Sequence, residues 1–216
     1  MTAERADQLT TVEGEARACP LCDLARTRTR AVPGEGPADA EVFFIGDGPG
    51  FNEDQQGRPC VGPAGRLLNE LLASIDLDRS KVYITNVVKC RPPGNRDPMP
   101  QEIAACAPYL ERQLAIIKPK VVVTLGRYSM AKFFAGASIT KIHGQPKRIG
   151  NTFYFPMFHP AAALRQDSYM AAVKADMLKI PALLEEARKA HMAGAPGAEA
   201  AEVQEATPTQ LGLFDL

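Results

Sequence analysis

Four apolar runs recur along the chain, each bounded by polar or glycine positions: EVFFIGD (41–47), KVYITNVV (81–88), KVVVTLG (120–126) and NTFYFPMF (151–158). The first three contain continuous apolar stretches, the pattern of strands covered on both faces. Between and after the four runs, apolar residues return at spacings of three and four. AGRLLNELLASI (64–75), PQEIAACAPYLERQLAIIK (100–118), RYSMAKFFAG (127–136) and SYMAAVKADMLKIPALLEEARK (168–189) therefore predict helices. The second opens on Pro with an acid in its first turn, the third ends on Gly, and the last is expected to kink at Pro181. Strands alternating with helices give an α/β fold, an open sheet with helices on both faces. Ligands of such sheets bind beyond the carboxyl ends of the strands. That rule places Asp47, the residues after Val88, Gly126 and His159 on one rim.

Composition changes this picture at the two ends. The first ten residues are polar and carry no signal-peptide core, and no apolar run approaches the ~18 residues of a membrane span. A cytoplasmic, reducing setting is expected. Residues 181–216 hold six acids and two bases, leaving 23 bases against 19 acids before them, so the body is mildly basic. That balance is compatible with a polyanion partner but does not establish one. From about residue 190 the sequence HMAGAPGAEAAEVQEATPT reads as a disordered linker, and it closes on the abruptly apolar QLGLFDL. The expected organisation is a body over 1–190, a linker over 191–209 and a docking tail over 210–216.

The stretch GDGPGFNED (46–54) follows the first strand. Three glycines there imply close approach to something, and a phosphate is the simplest guess. Yet Phe51 stands where a dinucleotide fingerprint needs its third glycine, Pro49 removes one N–H, and no Gly-Lys-Ser/Thr follows. Asp47, Glu53 and Asp54 would also repel an anion.

Cys19 and Cys22 form C-x2-C, Cys90 lies just after the second strand, and Cys106 lies in a predicted helix. In a reducing compartment shared metal ligation is a stronger reading than disulfides. Zinc and an iron–sulfur cubane both fit four thiolates from three segments. Cys60, in GRPCVGPAG, stands apart from the set.

On the carboxyl rim lie Asn86, whose amide can read a nucleobase edge, and His159 in FPMFHPAAAL. A lone histidine at a strand end is more often structural. Here three strand ends deliver an acid, an amide and an imidazole to one place.

GDGPGFNEDQQGRPCVGPAGRLL, VYITNVVKCRPPGNRDP, VVVTLGRYSM, ITKIHGQP and FPMFHPAAALR resemble the family 4 uracil-DNA glycosylases, the iron–sulfur branch of that superfamily. The likeness runs from about Cys19 into the 180s. It implies a three-layer α/β/α sandwich around a four-stranded, mostly parallel sheet, acting as a monomer on uracil-containing DNA and leaving an abasic site. It further implies a structural [4Fe–4S] cluster on Cys19, Cys22, Cys90 and Cys106. By the same likeness, His159 donates to the uracil carbonyl, Asn86 holds the uracil edge and excludes cytosine, and Asp47 serves the cationic sugar or the water. Glu53 crowds the C5 side of the ring. Gly46, Gly48, Pro49, Gly50, Phe51 and Cys60 are expected around the base.

The chain also departs from that family. Asp47 replaces a customary Glu, and retreat of a catalytic carboxylate by ~1 Å can cost on the order of 10²-fold in rate. Cys60 replaces a Phe that stacks on the base, a contact worth roughly 1–3 kcal/mol. Ala163 stands where a Leu wedge is usual, which leaves Leu164 or Arg165 to fill the duplex. Two alternatives follow: a covalent uracil-DNA trap through His143, or a weakened member that mainly binds damaged DNA. Finally, Gln210, Leu211, Leu213 and Phe214 resemble the bacterial sliding-clamp-binding pentapeptide.

Overall fold

A computed structural model of the chain describes residues 2–192. The linker beyond 192 and the Gln210–Phe214 segment lie outside the described residues. Five strands form one sheet: β1 (Val42–Gly46), β2 (Val82–Asn86), β3 (Val121–Leu125), β4 (Lys147–Ile149) and β5 (Thr152–Met157). Their spatial order is β2-β1-β3-β5-β4. β1 runs parallel to β2 and β3, and β3 parallel to β5, while β4 pairs with β5 antiparallel. The four apolar runs thus supply the four parallel strands. The expected four-stranded sheet is corrected to five. β4 is a three-residue edge strand, KRI, mostly exposed, with too little apolar content to be read from its pattern.

The helices are α1 (Thr2–Ala18), α2 (Leu24–Thr27), α3 (Phe51–Gln56), α4 (Pro63–Ala73), α5 (Pro100–Ile117), α6 (Arg127–Ala131), α7 (Ile139–Ile142), α8 (Pro160–Ala163), α9 (Asp167–Met177) and α10 (Ile180–Met192). Pro181 does not kink one long helix. It is the second residue of α10, where its missing N–H costs nothing, and α9 ends before it.

Alternate residues of β1 feed two cores, as strand geometry requires. Val42 and Phe44 join Ile84, Val123 and Phe155 under α4, α9 and α10 through Leu68, Leu72, Val173, Met177 and Leu184. Phe43 and Ile45 face the other way, with Tyr83 and Val122, onto Leu9, Val12 and Ala16 of α1 and Leu110 and Ile117 of α5. Helix α1 presents only this narrow stripe in an otherwise polar sequence, so its pattern was not legible as a helix. It is fastened by polar contacts as well: Tyr83 Oη donates to Glu13 at 2.9 Å, and Arg112 pairs with Glu15. The parallel strands end level, with Gly46 opposite Asn86 and Leu125 opposite Met157. That register is what brings the rim residues together.

Candidate functional site

Beyond the carboxyl ends of β1, β2 and β5 lies a cleft of about 300 Å³, and Asp47, Asn86 and His159 all line it. Asn86 is the last residue of β2 and is buried. Its side chain lies against the bare Cα of Gly46. A Cβ added there would overlap Asn86 Oδ1 and stand 3.6 Å from His159 Nε2. Glycine at 46 therefore leaves the space in which amide and imidazole face each other.

His159 caps the short helix α8, and its Nδ1 accepts the Ala161 N–H at 3.0 Å. Burial holds its pKa down to about 4, so near neutral pH the ring is uncharged. A neutral imidazole that accepts at Nδ1 carries its proton on Nε2. The result is an N–H donor aimed beside Asn86.

Asp47 leaves β1 and accepts the Ser129 N–H at 2.8 Å through Oδ1. Burial raises its pKa, and the N–H groups of Ser129, Tyr128 and Arg127 with the Ser129 hydroxyl pull it back. The carboxylate rests on Gly126, whose φ of +113° suits only glycine; a Cβ there would come within 2.5 Å of Asp47 Oδ2.

The other two acids of the loop are spent on backbone. Glu53 accepts from the N–H groups of Gly50 (3.1 Å), Val61 (2.9 Å) and Gly62 (3.0 Å). It pins the 46–50 loop to the loop that carries Cys60. Asp54 is buried and accepts from Thr29 N–H at 2.9 Å. Gly48, Pro49 and Gly50 line the cleft, as does Cys60, which sits at φ +50° and whose carbonyl accepts from Arg79 at 3.0 Å. Burial pushes the Cys60 thiol up to about 12, which keeps it un-ionised.

Phe51 is a correction. It does not line the cleft: its ring is 56% exposed, with the Arg91 guanidinium 5.2 Å above it. It begins helix α3, which turns its side chain outward. Of the two wedge candidates, Leu164 is 49% exposed after α8, whereas Arg165 belongs to the cleft wall. His143 is not among the cleft residues. Its Nδ1 lies 2.7 Å from the buried Asp176 carboxylate, which Lys179 also engages at 2.9 Å.

The sequence reading missed part of the cleft. Asn95, Arg96 and Asp97 form its outer wall, with Arg96 fixed by two bonds to Glu102 at 2.9 and 2.6 Å. Their motif was visible although their place was not. The backbone donors of Ser129 and Ala161 leave no signal in a sequence.

On the other face of the sheet, Cys19, Cys22, Cys90 and Cys106 line one small cavity with Arg28 and Tyr109. Arg28 donates to Cys90 Sγ at 3.2 Å and to the carbonyls of Cys19 and Arg17 at 2.8 and 2.9 Å. The Lys89 N–H donates to Cys106 Sγ at 3.2 Å. Burial raises the Cys90 thiol and pushes Cys106 up to about 11. Among the described residues, no three such groups converge tightly enough to hold a single metal ion.

Comparison with known proteins decides the family. The Uracil DNA glycosylase superfamily matches residues 33–183. A type-4 uracil-DNA glycosylase of Sulfurisphaera tokodaii is 47% identical over 184 residues, covering 81% of this chain and 84% of that protein. The chain belongs to the type-4 uracil-DNA glycosylases. A second type-4 relative, from Thermotoga maritima, is 46% identical over 167 residues, or 76% of this chain and 87% of its own. A type-5 uracil-DNA glycosylase of Thermus thermophilus is 33% identical over 142 residues, or 59% and 64%.

Proposed function

We propose that this protein excises uracil from DNA, and that its cleft holds the extruded base between Asn86 and His159. One observation carries the reading: a buried amide and a neutral Nε2–H donor face one space above Gly46, within a cleft that also holds a carboxylate. A base inside a duplex is unreachable, so the nucleotide must swing out, at a cost of a few kcal/mol that is smallest at a mismatch. As the C1′–N1 bond breaks, its electron pair moves onto the uracil ring and positive charge grows on the sugar. Water adds to C1′, and the proton it loses ends on the uracil anion, leaving free uracil and an abasic site. The His159 Nε2–H stabilises the carbonyl oxygen where negative charge accumulates, without itself needing to be charged. Asn86 pairs with the uracil edge and rejects cytosine, whose exocyclic amine meets the wrong group. Asp47 supplies negative charge to the sugar or orients the water. Leu164, exposed beside the cleft, fills the gap in the duplex.

The four cysteines fit an iron–sulfur cluster better than zinc. A tetrahedral zinc holds its sulfurs at about 2.3 Å and so about 3.8 Å from one another. All four thiols line one small cavity, as suits a [4Fe–4S] group with one cysteine on each iron. The Arg28 and Lys89 N–H groups provide the donors that cluster thiolates need. When bound, the cluster clamps the segment carrying Cys19 and Cys22, and with it α1, to the body.

The tail is proposed to dock on a replication clamp, raising local concentration at newly made DNA. Removing residues 208–216 should abolish clamp capture and leave excision in solution unchanged.

A single-turnover assay on a uracil-containing oligonucleotide tests the main reading. Free uracil and an alkali-labile site are expected. An intact strand, or a protein–DNA adduct that survives boiling in detergent, would refute it.

A further inference from the structure

One buried cation has no place in the excision chemistry. Lys89 is 1% exposed, yet its ammonium has three acceptors: Thr85 Oγ1 at 2.6 Å, Gln113 Oε1 at 2.7 Å and the Asn86 carbonyl at 2.9 Å. All three of its protons are therefore used.

The reason lies in the topology. β2 is an edge strand, so every second residue turns its N–H and C=O away from the sheet. At Ile84 the outward pair is met by Glu35, with bonds of 2.9 and 2.8 Å. Two residues on, Asn86 turns the same way, and its carbonyl has no neighbouring strand. Lys89 reaches back to supply the donor. From the sheet side, the Val87 N–H bonds Gly46 O at 2.9 Å. The peptide group joining Asn86 and Val87 is thus gripped from both edges, and the Asn86 side chain lines the cleft.

Lys89 is itself held at its other end. Its N–H donates to Cys106 Sγ, and its carbonyl accepts from Val32 at 2.7 Å. Gln113, which shares the ammonium, donates to Pro33 O at 2.8 Å and to Tyr83 Oη at 3.0 Å. We infer that Lys89 is a positioning residue that fixes the Asn86 amide in the cleft and ties its position to the cysteine centre. The inference rests on the uracil reading of the cleft. It deepens that reading by giving the cysteine segment a route to the residue that selects the base.

A double-mutant cycle tests it, read by the affinity of the full-length protein for free uracil in calorimetry and by single-turnover excision. In the Asn86 background, Lys89→Met should weaken uracil binding about 10-fold and slow excision by roughly 10²-fold, the scale of an ~1 Å misplacement. In the Asn86→Ala background the same change should cost less than about 2-fold, because the side chain it positions is gone. Equal losses in the two backgrounds would mean general weakening of the fold and overturn the inference. If Lys89→Met does not fold, Thr85→Val removes one of the oxygens that orient the ammonium. It must show the same coupling at smaller size, and its absence overturns the inference equally. A wild-type protein that neither binds uracil nor excises it would defeat the uracil reading itself. An active wild type without coupling would defeat only the role of Lys89.

Discussion

The cleft and the cysteine cavity are built on opposite plans. In the cleft, three polar side chains already have backbone partners: Asp47 on the Ser129 N–H, Glu53 on three N–H groups, His159 on the Ala161 N–H. Nothing needs to move for these groups to meet a base, which is the preorganisation that makes fixed donors effective. The cysteines come from three segments, and their sulfurs take donors from Arg28 at Cys90 and the Lys89 N–H at Cys106. Burial raises the thiols of Cys90 and Cys106, which keeps both protonated. The cleft is held by backbone donors, whereas the cysteines are joined by few protein bonds and, on the proposed reading, by the cluster. Substitutions in the cleft should therefore change rate and spare stability, whereas substitutions at the cysteines should do the reverse.

His159→Ala gives the largest expected loss of rate, about 10²–10³-fold in single-turnover excision, the usual cost of removing one such donor. Its Tm at pH 7 should stay close to wild type. The same residue sets a pH signature. Its pKa falls from the ordinary 6.5 to about 4 in the fold, so the unfolded chain binds the proton first as pH drops. Stability should decline between about pH 6.5 and 4, and His159→Gln should flatten that part of the denaturation profile. No change of slope would contradict the buried neutral ring.

Asp47→Asn comes next, at about 10²-fold in rate. Because burial raises the Asp47 pKa above the usual 3.8, activity that needs the carboxylate should fall on acidification earlier than an ordinary aspartate would dictate. The residual activity of Asp47→Asn should lack that limb. Identical pH–rate profiles for the two proteins would remove Asp47 from the chemistry.

Cys90→Ser is the converse probe. It should abolish visible iron–sulfur absorption and lower Tm by roughly 5 °C or more. Excision per folded molecule should fall only about 10-fold, as far as Asn86 loosens. A rate loss matching that of His159→Ala would erase the distinction between the two sites. Leu164→Ala, the smallest effect, should slow excision about 3–10-fold in duplex DNA and hardly at all in single strands, a difference that isolates the cost of filling the stack.

The elements that were legible in the sequence were those whose pattern serves a core. EVFFIGD, KVYITNVV and KVVVTLG are buried throughout as strands, and their ends fixed which residues share the rim. Helix α1 was not legible because three apolar residues suffice where polar contacts from Glu13 and Glu15 complete the packing. Strand β4 was missed because an exposed edge needs little apolar content. At the site, Asp47, Asn86 and His159 could be placed from strand ends alone. Phe51 could not, since a residue at a helix start faces in or out according to the helix and not the loop motif. Glu53 lines the cleft, but the three backbone N–H groups that fix its oxygens there leave no mark in a sequence pattern.

The most direct test is a crystal structure of the full chain with uracil bound. The ring should lie above Gly46, with one edge hydrogen-bonded to the Asn86 amide and a carbonyl oxygen within about 3 Å of His159 Nε2. Uracil seated elsewhere on the molecule, or in the cleft with His159 Nε2 turned away from it, would contradict the account.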